Sequence, residues 1–388
     1  MSSFTKKNIK NIKSNLPKKK VGILPSQEIR RMIKEGKIRS RRKFIKESSV
    51  QPASLDLTIS SKAYRVSGLF LPKKGEKVEN LLKELTVYEV DLSRKFILEK
   101  DATYVIELNE YVYLDEDIHA YSNNKSSTGR LNILTRIITD DNNQFDRIPK
   151  GYMGRLYLEV ISKSFLIEIS EGDSLNQVIF FRGDSTLNDA ELVSEYMKDP
   201  LFYAKDIKPI ALGAVQIHRG LVMSIDLSQH IIGWKAKLTN DVISLKKSDY
   251  YSPYDFFDAI KKPENGRFVL NENEFYILCT KERIRIPTRF SAEMIAFDHG
   301  IGEFRSHDAG FFDPGFGYGK IGEIKGTSAV LEVRPYGNHI VIRDGQPVCK
   351  MVFSHLIELP DKVYGVDLKS NYQEQGGPRL SKFFRSID

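Results

Sequence analysis

The chain repeats itself at the scale of a domain, and this restricts its architecture more than any other feature. Ala53-Ser-Leu-Asp-Leu57 returns as Met223-Ser-Ile-Asp-Leu227, Phe96-Ile-Leu as Phe268-Val-Leu, and Leu158-Glu-Val160 as Leu331-Glu-Val333. Ser224 follows Ser54 by 170 positions, Phe268 follows Phe96 by 172, and Glu332 follows Glu159 by 173. Ordered matches at so long a period mean two copies of a whole domain, not a solenoid of short units. The spacing predicts a basic tail over residues 1–20, a first domain over 21–209 that ends in a connecting helix, and a second over 210–388. The joint is expected in Lys208-Pro-Ile-Ala-Leu-Gly213, after the helical pattern Leu187-Asn-Asp-Ala-Glu-Leu-Val-Ser-Glu-Tyr-Met197.

Within each copy the texture is that of strands. Runs such as TYVIELN, YVYL, GRLYLEVI and QVIFF are β-branched and aromatic, and Gly, Asn, Asp and Lys separate them at the spacing of an all-β sandwich or barrel. One short helix stands before them. Ser26 is its expected N-cap, Ile29, Met32 and Ile33 its apolar face, and Gly36 its end.

Charge bounds the partners. The formal net charge is +8, yet residues 1–20 hold seven lysines and no acid, and Arg39, Arg41, Arg42 and Lys43 form a second knot. Such local excess reads as a solvated tail and a charged loop rather than a surface for sequence-specific nucleic-acid reading. Small anions, nucleotides among them, remain a natural ligand class. No stretch approaches the roughly 18 apolar residues of a membrane span, and the lysine-rich start has no apolar signal core, so a cytoplasmic protein is expected. Cys279 and Cys349 are the only cysteines, too few for a disulfide framework.

Several chemistries lack their residues. A zinc nucleobase deaminase needs a His or Cys ligand followed by a C-x-x-C pair, which two isolated cysteines cannot supply. Gly315-Phe-Gly-Tyr-Gly-Lys320 is glycine-rich, but Ile321 stands where a P-loop wants Ser or Thr, so a flexible hairpin end is the simpler reading. With no H-E-x-x-H and no G-x-S-x-G, any hydrolysis must proceed without metal-bound hydroxide or a serine-histidine relay.

Four segments remain as candidates. In Lys125-Ser-Ser-Thr-Gly-Arg130, small side chains expose backbone N–H groups, hydroxyls donate, and cations stand at both ends, a composition suited to polyphosphate and equally to a polar turn. Glu159 and Glu332 sit in matching strands, where alternation turns each away from its apolar neighbours, toward a cleft or toward solvent. A carboxylate in a cleft of low polarity has its pKa raised toward neutrality, where it can take a proton from water and pass it on. Ala309-Gly-Phe-Phe-Asp-Pro-Gly-Phe316 is an aromatic hairpin able to wall a base, and the tail from Tyr364 through Asn371-Tyr-Gln-Glu-Gln-Gly-Gly-Pro378 reads as a mobile lid or a disordered end.

Together these residues resemble the dCTP deaminase family, relatives of the trimeric dUTPases. Gly22-Ile-Leu-Pro-Ser-Gln, Gln51-Pro-Ala-Ser-Leu-Asp56, Ser126-Ser-Thr-Gly-Arg130, Gly151-Tyr-Met-Gly-Arg-Leu-Tyr-Leu-Glu159 and Gly172-Asp-Ser-Leu-Asn-Gln177 follow the family order. The second copy adds the Ala309 hairpin, Val330-Leu-Glu332 and the Tyr364 to Pro378 arm, so the likeness spans residues 21–385 in the double-length form. The resemblance implies a mainly β chain of two tandem dUTPase-like distorted barrels of the β-clip type with a few short helices. It implies hydrolysis of dCTP to dUTP and ammonia without a metal activating the water, magnesium accompanying the triphosphate. By likeness the glutamate (Glu332 or Glu159) is general base and proton shuttle, Ser126 orients the water, and Arg130 steadies the centre. Lys125, Ser127, Arg147, Ala309, Asp313, Tyr364, Asn371 and Gln375 match nucleotide-binding positions, although Asn371 stands where many relatives carry lysine.

The copies have diverged in complementary ways. The first keeps Ser126, Ser127, Arg130 and Glu159 but has an irregular hairpin and no arm; the second keeps hairpin, Glu332 and arm but reads Asp298-His-Gly-Ile-Gly-Glu303 where the serine motif belongs. A composite site joining Ser126 and Arg130 to Glu332 and the arm is therefore expected, within or between chains, and with it a homo-oligomer. Two alternatives stand beside the deaminase: a bifunctional enzyme ending at dUMP, for which Asp313 would activate water, and a non-catalytic nucleotide-binding regulator. dUTP or dTTP would be product or feedback ligand.

Overall fold

The computed structural model describes residues 20–296, 304–305, 310–368 and 372–386. Most of the basic tail, the segment from Asp298 to Glu303, Ala309 and Asn371 lie outside the described residues.

The chain is mainly β with a few short helices, and the duplication is visible strand by strand. In the larger sheet of the first copy the order is Thr86–Asp91, Ile59–Val66, Thr103–Tyr113, Met153–Ser162, Ile133–Ile138. The second copy repeats it as Phe257–Lys261, Ile231–Ala236, Tyr276–Ile284, Thr327–Pro335, Phe304–Arg305. Register is kept too: Glu159 faces Val105 across its ladder and Glu332 faces Ile277, the position 172 residues after Val105. All pairs in these sheets are antiparallel.

The smaller sheets correct the expected joint. In the first copy, strand Gly22–Ile23 pairs with the end of Asn176–Arg182, and helix Ser26–Lys34 follows. The same opening recurs where Thr186 bridges Ser354 and helix Asp189–Lys198 follows, capped by Asn188 and Glu191 in a reciprocal pair. The helix expected to close the first domain therefore opens the second: Leu187, Leu192 and Tyr196 pack among Leu221, Met223, Leu278 and Phe353. The joint lies near residue 185, not 210. Pro25, rather than Ser26, holds the cap position of the first helix, and the Ser26 hydroxyl donates to Asp361 instead.

Each copy has its own apolar core, and the cores are laced together. Phe256, Phe257, Leu380, Phe383 and Phe384 of the second copy belong to the cluster built on Leu158, Phe165 and Ile167 of the first. Strand Val242–Ser244 also crosses over to pair in parallel with Leu166–Ile169. Both cysteines are buried and unbonded. None of the described helices is long and apolar enough to cross a membrane.

Candidate active site

A cavity of about 370 Å³ opens at this boundary, and both copies line it. The first copy contributes Asp56, Lys125, Ser126, Ser127, Arg130 and Gln177; the second contributes Phe311, Phe312, Asp313, Phe316, Glu332 and the arm residues Tyr364, Tyr372 and Gln375.

The serine motif is held from behind. Strand Ile118–Asn124 runs into a single helical turn, Ser126–Gly129, and the Asn124 side chain donates to the Ile133 carbonyl at 2.9 Å while accepting from Thr135. Two hydrogen bonds on a buried amide fix where the turn starts. Gly129 then permits close approach, because a Cβ there would lie 2.5 Å from Glu332 Oε1. The glycine is needed for space, not for backbone conformation. Lys125 is paired with Asp56, and the Ser127 carbonyl accepts from the Ser381 hydroxyl at 2.8 Å.

Arg130 is buried and anchored to the arm. Its Nη1 donates to Gln375 Oε1 at 3.1 Å and to the Arg379 carbonyl at 2.9 Å, and its guanidinium lies 3.8 Å from the centre of the Tyr372 ring. Burial lowers its pKa; the charge of Glu332 acts in the opposite sense. A planar cation that lies over a ring and donates to two acceptors has little freedom left. Gln375 in turn donates to the Ser328 carbonyl at 2.8 Å, on the strand that carries Glu332.

Glu332 is 3% exposed on strand Thr327–Pro335, whose residues are all buried. The expected alternation of core and solvent faces is absent from this strand because its second face meets the other copy. Asp313 accepts from the Ala53 N–H at 3.0 Å across the boundary, and burial pushes its carboxyl up to about 7. Burial also raises Tyr364, which packs 5.5 Å from Phe316. The glycine run before it is no loose hairpin end. The Gly317 N–H donates to Gln373 Oε1, Gln373 Nε2 donates to the Gly315 carbonyl, and at φ +60 a Gly317 side chain would strike the Ile284 carbonyl.

Two expected residues stand elsewhere. Glu159 is 3% exposed on Met153–Ser162, but it does not line this cavity; burial raises it to about 7, Arg136 opposes that, and its Oε2 has no hydrogen-bond partner among the described residues. Arg147 is exposed and lies 4.6 Å over the Tyr121 ring, outside the cavity. Register explains the difference. Arg147 pairs with Tyr121 as Phe311 pairs with Glu293, so Phe311 is its counterpart and supplies the wall. Asp56, Gln177, Tyr372 and Lys382 were not singled out for the site. Asp56 and Gln177 did fall in quoted motifs, whereas Lys382 comes from 252 positions beyond Arg130 with no local signal.

Such a cavity can enclose a base between Phe311, Phe312 and Phe316 and set a carboxylate, hydroxyls and cations around it. Among the described residues no group of three or more His, Cys, Asp or Glu side chains is placed to hold a metal ion.

Comparison with known proteins points the same way. Residues 20–184 match the family model of the 2'-deoxycytidine 5'-triphosphate deaminase N-terminal domain, and residues 188–384 match that of the C-terminal domain. The crystal structure of 2'-deoxycytidine 5'-triphosphate deaminase from Agrobacterium tumefaciens superposes with a TM-score of 0.81 at 37% identity, covering 88% of this chain and all of that one. A dUMP-forming dCTP deaminase from Methanosphaera stadtmanae is 28% identical over 149 residues, 36% of this chain and 71% of the relative. A dCTP deaminase from Halorubrum lacusprofundi is 28% identical over 131 residues, 33% of this chain and 60% of the relative.

Proposed function

The chain belongs to the dCTP deaminase family, and we propose that it hydrolyses dCTP to dUTP and ammonia in the cavity between its two copies. The observation that carries this reading is the meeting of Glu332 from one copy with Ser126 and Arg130 from the other.

In this account the triphosphate enters with magnesium, its phosphates toward Lys125 and Ser127, its base against the Phe311 and Phe312 wall. Glu332 takes a proton from water, and the oxygen adds to C4 of cytosine. Glu332 passes that proton to N3 and then moves the remaining proton of the new C4 hydroxyl to the amino group; the C4–N bond breaks, and ammonia leaves with C4 as a carbonyl and N3 protonated. Ser126 orients the water by hydrogen bonding. Arg130 holds the arm residues Gln375 and Tyr372 against the centre and sets a fixed cation near Glu332. Tyr364 and Gln375 belong to the closing arm. One chain supplies both sides, so the site itself does not call for an oligomer.

A second reading keeps one specific support: Asp313, a cavity carboxyl titrating near neutrality, could serve attack on phosphate, as the dUMP-forming name of the Methanosphaera relative suggests. Product analysis separates the two. Incubation with dCTP should give ammonia with dUTP; dUMP and pyrophosphate would establish the bifunctional form, and neither product would leave a binding protein.

A further inference from the structure

We propose that Lys382, near the C-terminus, is a third cation of the nucleotide site that contacts the phosphates and sets the preference for triphosphate over monophosphate. This rests on the reading of the cavity as a dCTP site. The lining carries three bases, Lys125, Arg130 and Lys382, against three acids, Asp56, Asp313 and Glu332. Without Lys382 the acids would outnumber the bases around a ligand that brings its own negative charge.

The other two bases are already engaged. Lys125 is paired with Asp56, and Arg130 donates from Nη1 to Gln375 and to the Arg379 carbonyl and stacks on Tyr372. Lys382 makes no ion pair among the described residues. Burial lowers its pKa first, and the nearby charge of Lys125 lowers it further, while Asp56 opposes both. Two ammonium groups that repel one another across a single carboxylate form a place where a bound anion relieves strain of charge.

The position is fixed by the body of the protein rather than by a loose end. The Lys382 N–H donates to the Tyr372 hydroxyl at 3.1 Å, the Ser381 hydroxyl to the Ser127 carbonyl at 2.8 Å. Leu380, Phe383 and Phe384 on either side are buried at 7%, 4% and 5% exposure. Phe384 meets Phe256 and Phe257 at 5.6 and 5.4 Å between ring centres. The backbone that carries Lys382 is therefore fixed at the cavity wall, so that binding has only the side chain left to order.

The test is calorimetric, with dCTP and with dCMP at fixed magnesium, on the full chain carrying Glu332→Gln so that substrate is not consumed. Adding Lys382→Met should weaken dCTP by about 10- to 100-fold, the worth of a charged hydrogen bond, and dCMP by less than about threefold, with Lys382→Arg restoring most of the dCTP affinity. An unchanged dCTP affinity, an equal loss for both ligands, or a loss that arginine fails to restore would overturn the assignment. Failure of the unsubstituted chain to release ammonia from dCTP would instead overturn the deaminase reading beneath it.

Discussion

Gly129 of the first copy and Glu332 of the second touch across the domain boundary so closely that a Cβ on Gly129 would stand 2.5 Å from Glu332 Oε1. The contact ties the serine turn to the carboxylate. Because the colliding atoms are the end of a flexible side chain, Gly129→Ala should swing the carboxylate aside at modest cost to the fold. Turnover of dCTP is expected to fall about 100-fold while stability changes by no more than about 1–3 kcal/mol, read by kinetics and thermal melting of the same sample. An active variant would separate Glu332 from the chemistry.

Glu159 gives a pH prediction. Burial lifts its carboxyl from an ordinary 4.5 to about 7. Folded protein thus binds more protons than unfolded protein in that interval, so stability falls as pH rises from about 4.5 and the loss is complete above about 7. Glu159→Gln keeps the shape and removes the charge. It should stabilise by on the order of 3 kcal/mol at pH 8 and by little at pH 4.5, measured as the melting-temperature difference from the parent at each pH. A difference independent of pH would contradict the burial argument.

The arm is held to Arg130 by a ring and an amide. Replacing Tyr372 with Leu removes the stacking at 3.8 Å and the acceptor for Lys382 N–H; replacing it with Phe removes only the acceptor. The Leu variant should lose about 2 kcal/mol of arm docking and the Phe variant about 1 kcal/mol. Comparing kcat/KM for dCTP and proteolysis within 372–386 checks the order. Equal effects would mean the ring itself contributes nothing.

Because one chain supplies both halves of the cavity, Ser126→Ala and Glu332→Gln chains should not rescue each other. Co-expression of the two, followed by a dCTP deamination assay, is expected to give no more activity than either alone. Substantial recovery would place the working site between chains.

Much of this architecture was legible, and the failures have physical causes. The duplication follows from short identities repeated at long range and the strand texture from β-branched and aromatic runs, while the complementary differences between the copies pointed to the cavity that both of them line. The joint near 185 was missed because Gly22-Ile-Leu-Pro-Ser and Ser185-Thr-Leu-Asn-Asp reach the same strand-then-helix opening with different residues. One begins at Pro25 without a side-chain cap, the other with the Asn188 and Glu191 box. Arg147 was misplaced because hairpin register is set by pairing with Tyr121, which no spacing reveals. Lys382 meets Tyr372, and Tyr372 meets Arg130, only through tertiary contacts, which linear sequence does not reveal.

The most direct measurement is the ammonia released from dCTP by Glu332→Gln and by Glu159→Gln, side by side. The account expects the first to lose about 1,000-fold or more, as for removal of a base, and the second to keep turnover close to that of the parent. The reverse pattern, an inactive Glu159→Gln beside an active Glu332→Gln, would contradict it.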